Sequence, residues 1–427
     1  MRLAELGYTI SATVRLCHVT NRYSTWTPQR RPRPRQTEIS EHRRLAVMLA
    51  MSLGSFAIGT TEFVTMGLLS TIASDLQVSE DAAGTIITAY ALGVVVGAPI
   101  IATVTGPLPR RRLLLWLILA VVVGNGLSAL AQTYDTLLIF RFIAGFPHGA
   151  YFSVAGLSSA SMAPITQRGR AVAFITMGLS VATVAGVPAA ELLGSALGWH
   201  TAYALVAVIG LIAGAMLWFL MPHMTEMKPT NPLVELGALK RSQVWFTVAI
   251  GIVGSGGMFA IYTYISWIMT DRAGLNPEWM WLVLMVYGLG AVGGNWFGGR
   301  VADRNLEVGI VFVLSMIALL LTGFYFASSH AVLGIINFGV AGFFGTSLGP
   351  ILQIRLMEVA EDAQTLAAAL NHAALNLANA AGAFIGGLVI SAGFSYSAPA
   401  LAGVAMALAA ICIWVPMFFL RRRKISG

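Results

Sequence analysis

LAVMLAMSLGSFAIGTTEFVTMGLLSTI, residues 45–72, carries one ionisable side chain, Glu62, in 28 positions. A helix rises about 1.5 Å per residue and a bilayer's hydrocarbon is roughly 30 Å thick, so about 20 such residues cross it. The run therefore reads as a membrane span with length to spare, which tilt or protrusion absorbs. Eleven similar runs follow near 80–105, 113–131, 137–163, 171–198, 200–221, 242–270, 277–299, 309–328, 331–357, 365–393 and 396–420. The expected fold is an all-α membrane protein of about twelve transmembrane helices. Pro99, Pro147, Pro188 and Pro350 fall inside these runs and are compatible with them, because neighbouring helices satisfy the freed backbone groups.

Composition agrees. Hydrophobic residues make up 57% of the 427 and charged residues 10%, against roughly 45–50% and about 25% in soluble domains. A net charge of +8 raises nucleic acid as a partner. However, the basic residues lie between apolar runs, which membrane orientation explains, so no nucleic-acid partner is expected. Cys17 and Cys412 stand at opposite ends of the chain, and no Cys or His has metal-ligand spacing. Neither a disulfide framework, a metal nor a cofactor is expected. There is no phosphate-binding glycine loop and no Ser–His–Asp arrangement, so an ATP-driven pump and an enzyme are both disfavoured.

Lys and Arg concentrate in cytoplasmic loops of membrane proteins. Alternate loops here hold Arg110–Arg112, then Arg168 and Arg170, then Lys228, Lys240 and Arg241, then Arg300 and Arg304, and the C-terminus adds Arg421–Lys424. Intervening loops hold mainly acids, among them Asp75, Glu80, Asp81, Asp135 and Glu278. Both termini are expected on the cytoplasmic side of a multi-pass protein of the cell membrane. Residues 1–44 are arginine- and proline-rich without an apolar run. They are expected to form a disordered basic cytoplasmic tail, native or added by an upstream start, rather than a signal or transit peptide.

The polar stretch 222–241 divides the spans into bundles at 45–221 and 242–420, leaving 421–427 as a second tail. An internal repeat crosses that divide. Tyr90, Gly93 and Gly97 recur as Tyr287, Gly290 and Gly294; Phe142 and Gly149 recur as Phe338 and Gly345; Gly186 recurs as Gly382. The register is nearly constant over three helix pairs. Six-helix repeats related by an axis along the membrane normal are a known architecture of secondary transporters, with the substrate site between the halves.

Four stretches then carry a family likeness: GTTEFVTMGLL (Gly59–Leu69), RFIAGFPHGAYFSVA (Arg141–Ala155, with Gly145, Pro147, His148 and Gly149), Gly178–Gly194 with Gly186 and Pro188, and NHAALNLAN (Asn371–Asn379). Over about 45–420 the chain resembles the major facilitator superfamily, and more narrowly its twelve-span drug/proton antiporters of the arabinose-efflux-permease type. The likeness implies two pseudo-symmetric six-helix bundles, a small-molecule substrate and protons as coupled ions. There are two departures. The loop after span two has Ala102 and Gly106 where the family has Gly and Asp, whereas the second-half loop keeps Gly299 and Asp303, flanked by Arg300 and Arg304. Glu191 stands where a small or hydroxyl residue is expected.

Ionisable groups inside hydrocarbon are functional candidates by default. Glu62 lies seventeen residues into its run, or about 25 Å along a helix, too deep to snorkel. It is the leading candidate for a proton carrier, the alternative being a neutral hydrogen-bonded side chain that holds spans together. Arg141 is expected within reach of span one as its modulator, or else as an interfacial cation. His148 reads as a proton relay or a packing histidine. Glu191, Asn371, His372, Asn376 and Asn379 are candidates for substrate binding, with hydrogen bonding between helices as the alternative for the amides. Arg300, Asp303 and Arg304 are expected to form a gating latch. The expected function is proton-coupled efflux of small amphipathic compounds by alternating access. A transporter of a specific metabolite is the same-fold alternative, and a non-transporting sensor is remote.

Overall fold

The structure is a computed structural model and describes residues 40–105, 108–164, 167–222, 237–360 and 363–425. Among these, twelve helices are long and apolar enough to cross a membrane: α1 (Glu41–Gly67), α2 (Glu80–Ala98), α3 (Arg110–Ala129), α4 (Tyr134–Met162), α5 (Ala171–Leu197), α6 (His200–Leu220), α7 (Ser242–Thr263), α8 (Pro277–Ala302), α9 (Leu306–Ala327), α10 (Ala331–Ala360), α11 (Leu366–Ser391) and α12 (Ala398–Pro416). Twelve crossings return the chain to the end where α1 begins, called here the terminal end; the other end is distal. Trp116, Phe219, Trp296 and Phe326 project from the outer surface. Only a hydrocarbon solvent leaves such a surface without penalty.

Helix ends depart a little from the sequence expectation. The Ser40 hydroxyl accepts from the Arg43 backbone N–H at 3.3 Å and caps α1, so helix starts at Glu41 rather than 45. The last helix continues past 420 to Ile425. The expected N-terminal tail up to residue 39 and most of the linker, 223–236, lie outside the described residues.

The repeat seen in the sequence is a packing repeat. A methyl group at Gly93 or Gly97 of α2 would overlap the carbonyl oxygens of Phe142 and Phe146 on α4. Gly290 and Gly294 of α8 stand in the same relation to Gly339 and Phe343 of α10. Gly186 of α5 abuts α1 at Phe56 and Thr60, and its repeat mate Gly382 of α11 abuts α7 at Gly256 and Ala260. In lipid the hydrophobic effect does not drive helices together, so close backbone approach at small residues supplies the packing energy.

Helices α4, α5 and α7 are among those interrupted along their length. α4 breaks at Phe146–Pro147, between the segments Tyr134–Gly145 and His148–Met162. α5 contains a π-turn at Ala182–Gly186, directly before Pro188, which has no N–H to continue the ladder. α7 breaks at Tyr264 and is followed by a short helical turn and a π-turn at Ile268–Arg272. The α5 π-turn also meets the other bundle: a methyl at Gly288 of α8 would overlap the Thr183 carbonyl.

Candidate functional site

Glu62 is buried on α1, one residue after Thr61, which anchors the cation of the site. Arg141 of α4 donates from Nη1 to the Thr61 hydroxyl at 2.8 Å and from Nη2 to the Thr61 carbonyl at 3.1 Å. The Thr61 hydroxyl in turn donates to Asn125 Oδ1 of α3 at 2.5 Å. The guanidinium sits between two rings, 4.3 Å from the Tyr90 centroid and 5.0 Å from that of Tyr203. Such contacts stabilise a desolvated cation by up to about 2 kcal/mol. At 1% exposure Arg141 does not reach the interface.

Glu62 forms no ion pair or hydrogen bond among the described residues. It lies in the electrostatic field of Arg141 and of the Tyr90, Tyr262 and Tyr287 hydroxyls. Tyr262 and Tyr287 belong to the second bundle and stack at 4.4 Å, and Phe63, next to Glu62, meets the Tyr262 ring at 5.6 Å. The carboxyl therefore lies near the bundle interface, with its oxygens uncommitted among the described residues. Tyr90 and Tyr287, noticed in the sequence only as repeat markers, are part of this site.

His148, at the restart of α4, accepts from or donates to the Tyr90 hydroxyl through Nδ1 at 2.9 Å. Its ring lies 5.9 Å from that of His372 on α11, and His372 stacks on Phe152 at 4.9 Å. Arg141, Tyr90, His148 and His372 thus form a series of neighbouring side chains from the first bundle to the second, joined by one hydrogen bond and two ring contacts. His372, Asn376 and Asn379 follow at helical spacing on one face of α11. Asn376 Nδ2 donates to the His372 carbonyl at 3.1 Å; among the described residues its Oδ1 has no partner, and the buried Asn379 amide has none at either atom. Asn371 is also buried, one position before His372. Glu191 belongs elsewhere: it accepts from Ser195 at 2.6 Å and lies beside Gly67, about 7 Å further along α1 than Glu62.

Gly145 abuts the Tyr90 carbonyl and Gly149 the Ala98 side chain, so both hold α4 against α2. In the last turns of the α8 helix, which runs on to Arg304, Arg300 stacks over Trp296 at 3.4 Å and Arg304 is exposed. The side chain of Asp303, and all of Gly106, lie outside the described residues. Sequence reading missed one buried cation, Arg355 of α10. It pairs with Glu307 at 3.4 Å and donates to Gln243 Oε1 at 3.1 Å, while Trp414 Nε1 donates to Glu307 at 2.8 Å. Together they join α7, α9, α10 and α12 at the terminal end. The signal was present: an arginine inside an apolar run deserves the scrutiny given to Glu62.

At the distal end the bundles are tied together. The Tyr396 hydroxyl, between α11 and α12, donates to the Glu80 carboxylate at the start of α2, and Ser70 and Ser266 hydroxyls meet at 2.7 Å. Burial and the nearby carboxylate push the Tyr396 phenol above its ordinary range, which keeps it a donor. Tyr396→Phe removes a hydrogen bond to a charged group at a partly wetted position, at a cost of about 1 kcal/mol. The expected result is a roughly fivefold shift from distal-closed to distal-open molecules. Thiol labelling of a cysteine placed at Ser70 reads it; an unchanged labelling rate would remove this contact from the closure.

Two six-helix bundles that bury ionisable and hydrogen-bonding side chains where they meet have the architecture of a membrane transporter. The chain belongs to the Major Facilitator Superfamily, whose sequence profile matches residues 51–340. It is 37% identical over 372 residues to the inner membrane transport protein YdhP of Escherichia coli strain K12, covering 86% of this chain and 95% of that one. It is 33% identical to a chloramphenicol resistance protein of Streptomyces lividans, covering 77% of this chain and 85% of that protein. Its fold matches a bacterial homologue of the human lysosomal transporter Spinster, solved inward-facing and unoccupied, with a TM-score of 0.68, 14% identity, and coverage of 88% and 97% of the two chains.

Proposed function

We propose that the protein exports small amphipathic compounds in exchange for protons, by rocking its two bundles about a site at their interface. The observation that carries this reading is the buried Glu62 carboxyl, without a hydrogen bond or ion pair among the described residues and near Tyr262 and Tyr287 of the opposite bundle. A buried carboxyl tolerates its own burial by taking a proton or a cation. Exposed alternately to the two sides, it carries that charge across. Arg141, held by Thr61, Tyr90 and Tyr203, modulates the carboxyl as the bundles move, and His148 extends the path toward His372. Arg300, Asp303 and Arg304 form the terminal-side latch in this scheme, which places the termini in the cytoplasm. The relative that confers chloramphenicol resistance supports an amphipathic substrate.

Reconstituted vesicles with an imposed pH gradient test the reading. Accumulation of chloramphenicol, or of another member of a toxic-compound panel, should follow the gradient and collapse with a protonophore. Transport indifferent to the pH gradient would overturn the coupling. A hydroxyl-rich substrate is the second reading, favoured by the buried Asn379 amide and Asn376 Oδ1, which have no partner among the described residues. Such groups are costly to leave unpaired and suit a ligand with its own donors and acceptors. Competition of chloramphenicol uptake by a sugar panel separates the two.

A further inference from the structure

On the outer face of the first bundle, α3 and α6 enclose an apolar groove of about 680 Å³. Trp116 and Leu119 of α3 and Leu211 and Trp218 of α6 form its walls, and Gly214 leaves its floor low. Both tryptophans are largely exposed, at 65% and 60%. From Arg112 at one end to Val122 at the other the groove follows ten residues of α3, about 15 Å of helix rise, or half of a roughly 30 Å hydrocarbon core. It is one leaflet deep. Its charged end lies at the terminal end of the bundle.

The arginines at that end are not equivalent. Arg111 donates to the Trp218 carbonyl at 2.6 Å, and Arg43 donates from Nε to the Leu220 carbonyl at 2.9 Å. These two neutralise the last turn of α6, where carbonyls have no helical partner. Arg112 lines the groove, is exposed, and has no hydrogen bond or ion pair among the described residues. A slot that is apolar for the depth of one leaflet and ends on an exposed guanidinium matches a molecule with an acyl chain and a phosphate headgroup at its end.

We propose that this groove is a binding site for one anionic phospholipid of the terminal-side leaflet. Its phosphate pairs with Arg112, with Arg111 and Arg43 adding to the local positive field, and an acyl chain lies between Trp116 and Trp218. The guanidinium fork suits a phosphate better than a lysine would. A zwitterionic lipid carries the same chain without the net charge, so the site discriminates by headgroup.

The test is native mass spectrometry of the full chain, purified in mild detergent with equimolar phosphatidylglycerol and phosphatidylcholine. The wild type should retain phosphatidylglycerol about fivefold over phosphatidylcholine, the ratio one arginine near an anionic headgroup contributes. Arg112→Gln should lose that preference while still holding lipid, because the groove is intact. Ala215→Phe, which fills the groove from an exposed position, should lose bound lipid of both kinds. If Arg112→Gln does not accumulate as folded protein, high salt applied to the wild type gives the same reading, since it should erase the headgroup preference. Equal retention of the two lipids by the wild type would overturn the site. So would a preference untouched by Arg112→Gln and by salt, or dimers of the wild type that Ala215→Phe dissociates.

Discussion

Glu62→Gln is expected to reduce pH-driven substrate accumulation to the level of protein-free vesicles, while substrate exchange without a gradient continues. The amide keeps the size and hydrogen-bonding capacity of the carboxyl but cannot take up or release a proton. Three roles are open to a carboxyl at this position, and they part company under this change. A structural hydrogen-bonding role should survive, because Gln donates and accepts. A cation-binding role should cost affinity for positively charged compounds and leave neutral ones unaffected. A carrier should lose the uphill component alone. The third is the one proposed here, since Glu62 has no ion pair among the described residues and lies near tyrosines of the opposite bundle. The measurement compares wild type and variant in vesicles of equal protein content, with and without a pH gradient. Undiminished uphill accumulation by Glu62→Gln would remove it as an indispensable carrier, and Glu191 and His148 would be tested next.

Arg141→Ala should be the most damaging single change to the first bundle. The guanidinium is buried at 1% exposure, donates twice to Thr61 and fills the space between the Tyr90 and Tyr203 rings. Removing it strips the Thr61 carbonyl of a donor, leaves a cavity between two rings and takes away the nearest cation to Glu62. Losing two charge-assisted hydrogen bonds and the ring contacts of a buried cation costs about 3 kcal/mol, with part of the loss recovered if water enters the cavity. Arg141→Lys separates charge from geometry. Lysine restores the positive charge but not the two-pronged donation or the planar stacking. The bundle should then regain most of its stability, with the pH profile of transport still displaced from wild type. Thermal unfolding in detergent reads the first effect and vesicle flux across a pH series the second. Wild-type stability and pH profile in Arg141→Ala would show that the cluster plays no part in either.

The buried pair Arg355–Glu307 shows where one-dimensional reading stops. Arg355 lies inside the tenth apolar run and was open to the same rule that singled out Glu62. Glu307 stands at the first turn of α9, and nothing in its surroundings along the chain connects it with Arg355, Gln243 or Trp414. Gly93 and Gly97 show the opposite. Their recurrence as Gly290 and Gly294 was visible in the sequence, and the structure gives its cause: four carbonyl oxygens of α4 and α10 that leave no room for a methyl group.

Hydropathy and length are local, so the sequence alone determined the twelve spans, their division into two repeated bundles and the burial of Glu62. Which side chains meet Glu62 is a matter of helix rotation. A soluble helix reveals its rotation through a polar face and an apolar one, but a helix in lipid is apolar on both, and the pattern gives no phase. The phase is fixed by glycine contacts from distant spans and by the interruptions at Pro147, at the α5 π-turn and at Tyr264. Tertiary structure therefore decided that Arg141 is held by Thr61 between two tyrosines, that His148 meets His372, and that Tyr262 and Tyr287 lie near the carboxyl. These contacts join residues up to more than two hundred positions apart; those of Arg141 need the first bundle to pack, and the others need the two bundles to pack together.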